Sequence, residues 1–203
     1  IYRLMKSMNM SAVIRKKRKR YVHSIPQITA ENLLNRNFIT ENINEKWLTD
    51  VTEFKLTNGT KAYLSAILDL GDNSIVSYVL GTSNNNKLVF DTLDKAVITN
   101  PTATPLFHSD RGFQYTSKSF KLKLDAINAK QSMSRVGRCI DNGPMEGFWG
   151  ILKSEMYYLQ KFHTYEQLEK AIDEYIEFYN KRRLQKRLKG LAPIEYREQT
   201  LVA

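Results

Sequence analysis

The sequence predicts a mixed α/β fold: a five-stranded sheet flanked by helices, with basic arms at both ends. Three observations carry that prediction. Runs rich in Val, Ile, Leu, Thr and aromatic residues at 47–57, 61–70 and 75–80 are separated by Asn58-Gly59 and Gly71-Asp-Asn73, both turn sequences. Apolar residues at helical spacing then alternate with two short strand-like segments. Finally, Pro144 and Thr164 mark the starts of two further helices. Strands first, followed by alternating helices and strands, is the element order of a mixed sheet covered by helices.

Taken in order, residues 1–46 read as an arm. The first ten residues suit the end of a helix, and Glu31-Asn-Leu-Leu34 supports no more than a helical turn. The run 47–57 and its hairpin partner 61–70, followed by 75–80, make an antiparallel meander. Residues 84–99 suit a helix with Leu88, Val89, Thr92, Leu93 and Ala96 on one side. Leu106-Phe-His108 is a short strand that delivers Asp110. Residues 117–128 suit a helix, and 130–134 a fifth strand. A loop over 136–142, broken by Gly137 and Gly143, leads to a helix opened by Pro144 with Asn142 or Asp141 as its cap. That helix buries Met145, Phe148, Leu152 and Met156, and carries Glu146, Trp149, Gly150 and Lys153 on a different face. Thr164 and Gln167 form a capping box for the last long helix, whose core stripe runs from Leu168 to Tyr179. With the first strand central and the fourth beside it, Asp50 and Asp110 meet, and a helix laid across the sheet adds Glu146. This is the ribonuclease H-like arrangement.

At 203 residues, 42% hydrophobic and 11% aromatic, the chain is large enough for one sizeable domain plus arms. The expected division is a basic N-terminal arm over 1–46, a catalytic core over 47–180 and a basic tail over 181–203. No apolar run is long enough to span a membrane, and the start lacks a secretory layout, so a cytoplasmic location is expected. Cys139 is the single cysteine, which excludes an internal disulfide framework and a cysteine-based zinc site. The net charge is +10, and the cations cluster. Arg15, Lys16, Lys17, Arg18, Lys19 and Arg20 are consecutive, and Lys181, Arg182 and Arg183 begin a second group that continues to Lys189. Clustering of this kind favours a nucleic-acid partner.

Asp50, Asp110 and Glu146 stand out by context. Asp50 lies inside a strand, Asp110 follows one, and Glu146 opens a helix, with 35 residues between Asp110 and Glu146. Carboxylates gathered from separate elements are what a pair of Mg²⁺ ions needs, since hard oxygen ligands leave positions open for phosphate and water. Mn²⁺ is an acceptable substitute. Two ions about 4 Å apart suit in-line displacement at a phosphodiester, with Asp50 bridging them, Asp110 holding one and Glu146 the other. Lys153, about two turns past Glu146, reaches toward a nearby phosphate. The alternatives are ordinary ones: helix-dipole complementation for Glu146, turn capping for Asp110 and a surface lysine for Lys153. His108 reads as a donor supporting the site or as a structural histidine. Asn142 reads as a DNA contact or a helix cap, and Trp149 as a stacking, supporting or packing residue. There is no Walker loop, Rossmann fingerprint or zinc-ligand spacing.

The words around these residues resemble one family. They are Trp47-Leu-Thr-Asp-Val-Thr-Glu-Phe54, His108-Ser-Asp-Arg-Gly-Phe-Gln-Tyr115, Asp141-Asn-Gly-Pro-Met-Glu-Gly-Phe-Trp149 with Leu152-Lys-Ser-Glu155, and Tyr179-Asn-Lys-Arg-Arg183 with Leu191-Ala-Pro-Ile194. Together they resemble the second-frame product of insertion-sequence transposases of the IS-three family, over about residues 28–199. The resemblance implies a retroviral-integrase-like core and a DDE polynucleotidyl transferase using Mg²⁺. Asp50, Asp110 and Glu146 match the triad, and Lys153 the basic position seven residues on. It further implies DNA as partner, both element ends and target, and a homo-oligomer during synapsis. Family members usually carry a helix-turn-helix segment ahead of the core, of which residues 1–25 read as a remnant. A non-catalytic DNA-binding remnant, or another ribonuclease H-like nuclease, stands as the alternative.

Overall fold

The computed structural model describes residues 2–9 and 28–202. The cationic block from Arg15 to Arg20 lies outside the described residues. After a short helix α1 (Tyr2–Ser7), the body begins with β1 (Lys46–Lys55), β2 (Lys61–Asp69) and β3 (Ile75–Gly81). Then come α2 (Asn86–Thr99), β4 (Leu106–Ser109), α3 (Lys118–Ala126) and β5 (Lys130–Met133). The chain continues with α4 (Gly143–Glu155), α5 (Tyr165–Lys181) and α6 (Pro193–Val202). The sheet order is β3-β2-β1-β4-β5, with β1 central as expected. β1, β2 and β3 pair antiparallel, whereas β4 and β5 join as parallel strands.

The β1–β2 connection turns at Asn58-Gly59. Gly59 has φ +86°, a conformation that glycine adopts without the steric cost a side chain brings. Asn58 accepts the Thr60 N–H at 2.9 Å, and Leu56 N–H bonds Thr60 O at 2.8 Å.

Alternation along β1 splits the core into two layers. Trp47 faces α2 and α3, with Val89, Leu93, Phe107, Phe120 and Leu124. Leu48 and Phe54 face the other way, onto α4 and α5, with Met145, Phe148, Leu152, Leu168, Ile172 and Ile176. Both faces of the sheet are therefore covered, which is why β2 reads as an almost unbroken buried run. α5 forms the expected capping box: Thr164 accepts from Gln167 N, and Gln167 reaches back to the cap.

The stretches at either end of the core are fastened to it. Within 28–45, Leu34 is buried, Ile28 N–H bonds Thr116 O at 2.9 Å, and Met133 N–H bonds Glu31 O. At the other end, Leu188 and Ala192 are buried, and Arg187 donates to Phe38 O at 2.9 Å. Arg197 of α6 reaches the sheet edge. It pairs with Asp69 at 3.0 Å and with Asp72, two fully buried carboxylates. Burial and the neighbouring Asp72 push Asp69 up to about 6, against hydrogen bonds from Gly71 and Asn44 and the charge of Arg197.

Among the described residues, no helix is long and apolar enough to cross a membrane.

Candidate active site

The parallel pairing of β1 and β4 ends at Leu48 opposite His108. Two residues further along each strand stand Asp50 and Asp110, so strand register alone brings the two acids to the same rim. This is the carboxyl end of a parallel pair, where α/β sheets open a crevice. Asp110 leaves the strand in a tight turn, and its Oδ1 accepts the Gly112 N–H at 2.7 Å. The turn needs glycine: a Cβ at residue 112 would lie 2.9 Å from that same oxygen.

Glu146 arrives on the first turn of α4, on its exposed side. Burial, then the charge of Asp110 and more weakly that of Glu146, push the Asp50 carboxyl up to about 7. Burial likewise raises Asp110, opposed by its bond from Gly112. Asp50 thus sits in the field of both other acids. Hard oxygen donors in mutual repulsion are the chemistry that suits a divalent cation. Their side chains are not closed into a shell: among the described residues, no three His, Cys, Asp or Glu side chains are grouped closely enough to hold an ion.

α4 is seated along β1 by polar ties. Asn142 Nδ2 donates to Thr49 O at 3.0 Å, and Trp149 Nε1 donates to Asp50 Oδ2 at 3.1 Å. Lys153 Nζ donates to Thr52 Oγ1 at 2.5 Å and to Glu53 O at 3.2 Å, and lies 5.2 Å from the Phe54 ring centroid.

These contacts change several expectations. Asn142 is buried and turned inward to β1, so it is not presented to DNA, and its side chain does not cap α4. Trp149 is not on the exposed side with Glu146: it is buried with Met145, Phe148 and Leu152, so its ring is not free to stack on a base. Asp141, the other expected cap, accepts from Arg135, Arg36 and Asn32. This joins the loop ahead of α4 to the 32–36 segment, and the Arg135 bonds hold its carboxyl far below the usual range.

His108 is fully buried, and its two ring nitrogens face Ser132 Oγ at 2.9 Å and Ser134 Oγ at 3.0 Å. Burial pushes it down to about 4, so at neutral pH it is an uncharged structural histidine that clips β4 to β5. Its nitrogens are spent on those serines and not on Asp110.

The C-terminal cations are also engaged. Arg183 forms a two-pronged pair with Glu155, with Nη2 at 2.7 Å, and Tyr175 donates to the same carboxylate at 2.8 Å. Lys181 pairs with Glu177 at 3.0 Å. Arg182 is exposed and lies 5.8 Å from the Phe178 ring.

Sequence reasoning did not anticipate the grip of Trp149 on Asp50 or the Asp141 hub. The first had a signal, since Trp149 lies three residues after Glu146, within one turn of it along α4. The second had none, because two of its three partners, Arg36 and Asn32, are 105 and 109 positions away.

Two integrase core domain models match the chain, one over residues 41–139 and a second over 146–201. InsK of insertion sequence IS150 from Escherichia coli is 45% identical over 201 residues, covering 98% of this chain and 71% of its own. The chain belongs to the integrase-core transposases of insertion sequences. Transposase InsF of IS3fB, also from Escherichia coli, is 30% identical over 88% of this chain and 62% of its own, which agrees with IS-three-family membership. The fold agrees too. The integrase catalytic core of HTLV-2, solved in complex with magnesium, superposes with a TM-score of 0.59 at 19% identity, covering 75% of this chain and 95% of that one. The Mos1 transposase catalytic domain superposes at 0.53 with 18% identity, over 66% of this chain and 71% of that one. The enzyme class of this transposase is that of the DNA-integrating polynucleotidyl transferases, on a ribonuclease H-like fold.

Proposed function

We propose that Asp50, Asp110 and Glu146 are the catalytic carboxylates of this transposase and hold Mg²⁺, as two ions, for cleavage and joining of DNA strands. The observation that carries this reading is the β1–β4 register, which sets Asp50 and Asp110 at one rim, with Glu146 of α4 near enough for its charge to add to burial and Asp110 in raising the Asp50 carboxyl. A divalent cation relieves that repulsion and, when bound, supplies charge neutralisation for the attacking and leaving oxygens of a phosphodiester displacement. The chain's own part is to hold the acids in register: β1 and β4 fix Asp50 and Asp110, and α4 brings Glu146. Lys153, held over Phe54 beside Thr52, supplies positive charge next to the rim for a DNA phosphate.

The division into a core over 47–180 with basic flanks over 1–46 and 181–203 is proposed as a functional one. The flanks contribute cations along DNA, chiefly Arg15–Arg20, Lys181 and Arg182, while Arg183 is committed to Glu155. Element ends and target DNA are the proposed partners, with self-association during synapsis and a cytoplasmic location.

The test is plasmid nicking and strand joining by the full chain with Mg²⁺ or Mn²⁺, compared with Glu146→Gln at matched DNA binding. Loss of nicked and joined products in the variant is expected. Equal activity in both proteins would remove Glu146 from the machinery and sink the triad.

A further inference from the structure

One of the ties between α4 and β1 takes hold of a candidate metal ligand. Asn142 holds a backbone carbonyl, and Lys153 a hydroxyl and a second carbonyl, but the Trp149 indole donates to the Asp50 carboxylate at 3.1 Å. The chemistry of that donor is narrow. An indole N–H donates and never accepts, it carries no charge, and it does not compete for a cation. Its direction is fixed by the ring, which is 3% exposed and packed against Phe148 with centroids 5.0 Å apart. One side of Oδ2 is thereby committed, and the carboxylate is held in a single orientation. The same helix carries Glu146 one turn earlier, so one rigid element both supplies an acid and aims another.

We propose that Trp149 is a positioning residue for divalent-cation binding: its indole N–H holds Asp50 so that the remaining carboxylate lone pairs face Asp110 and Glu146. This rests on the metal-binding reading above. Groups that orient a ligand by hydrogen bonding typically govern metal affinity by about 10- to 100-fold. A second tryptophan provides an internal control, because the Trp47 indole donates to Asn44 Oδ1 at 3.2 Å, away from the acids.

The experiment measures Mn²⁺ binding to the full chain by calorimetry, well below the melting temperature, for the wild type, Trp149→Phe and Asp50→Asn. Phenylalanine keeps a ring and removes only the donor and part of the volume. The expected result is loss of the site in Asp50→Asn and about tenfold weaker Mn²⁺ binding in Trp149→Phe. Wild-type Mn²⁺ affinity in Trp149→Phe, with Asp50→Asn defective, would overturn the positioning role and leave the triad standing. Undiminished binding in Asp50→Asn would overturn the metal site itself, and the role of Trp149 with it. Should Trp149→Phe fail to fold, Mg²⁺ titration of the wild type decides by NMR. The Trp149 indole N–H resonance must move while that of Trp47 stays, and a stationary Trp149 signal at saturating Mg²⁺ refutes the proposal.

Discussion

Replacing Asp50 by Asn should make this protein more stable while destroying its activity. In the fold Asp50 titrates at about 7 instead of its ordinary 3.8, because burial and the charges of Asp110 and Glu146 all oppose its ionisation. A folded-state value raised above the unfolded one means that the native state binds the extra proton. Stability therefore falls as pH rises from about 4 to about 7 and stays low above that. At about 1.4 kcal/mol per pH unit, the gap between the two values caps the strain near ~4 kcal/mol. The site opens at the rim of the sheet, so solvent screening reduces this to about 2 kcal/mol. Asparagine keeps an oxygen for the Trp149 N–H and carries no charge. For a chain of this length each kcal/mol moves Tm by about 2–4 °C, so Asp50→Asn should melt about 4–8 °C above the wild type at pH 8 without divalent cations. The difference should shrink toward pH 4–5. Added Mg²⁺ should narrow it at pH 8 by stabilising the wild type alone. Thermal melts across this pH range, with EDTA or Mg²⁺, give the answer. An Asp50→Asn protein that melts at or below the wild type at pH 8 in EDTA would refute the claim that burial and the neighbouring acids oppose the ionisation of Asp50.

Other sites give independent checks. Arg197→Met strands the buried Asp69 and Asp72 and should cost about 3 kcal/mol in urea unfolding at pH 8; since Asp69 titrates near 6, part of that loss should return at pH 5. His108, held neutral with a value near 4, should make stability fall as pH drops from about 6.5 toward 4, because only the unfolded chain takes up its proton there; His108→Leu should lose about 2 kcal/mol at pH 7 and flatten that slope. Thr164→Ala removes the α5 cap and should lower stability by about 1 kcal/mol without changing DNA binding, read by melting and by gel shift.

Much of the frame was legible because period and punctuation agreed. The meander follows from three β-rich runs around Asn58-Gly59 and Gly71-Asp-Asn73, and α5 from its capping box and unbroken apolar stripe. Asp50 and Asp110 could be paired from topology alone, since a central first strand and an adjacent fourth strand leave them side by side. What escaped depends on side-chain direction or long-range charge. Trp149 was expected beside Glu146 on the polar face of α4 but packs in the core with Met145, Phe148 and Leu152; the roll of the helix onto β1 that puts it there is recorded by no local pattern. α6 was missed because it has no apolar stripe to read, and it is tied down by Arg197 to acids about 125 positions earlier. Leu34 sits in a polar neighbourhood and becomes core only because the sheet edge passes beneath it, beside Ser132.

The ring of bonds around Asp141 also has a mechanical side. The segment at 28–37 grips Thr116 with Ile28, Ser132 with the Leu34 N–H, and Asp141 with Asn32 and Arg36. Asp141 in turn clasps Arg135 and stands five residues before Glu146. The bonds of this strap converge on the short span between β5 and α4. The lead-in to the helix of the third acid is thus braced from a segment more than a hundred residues earlier, and a single carboxylate is the knot of that brace.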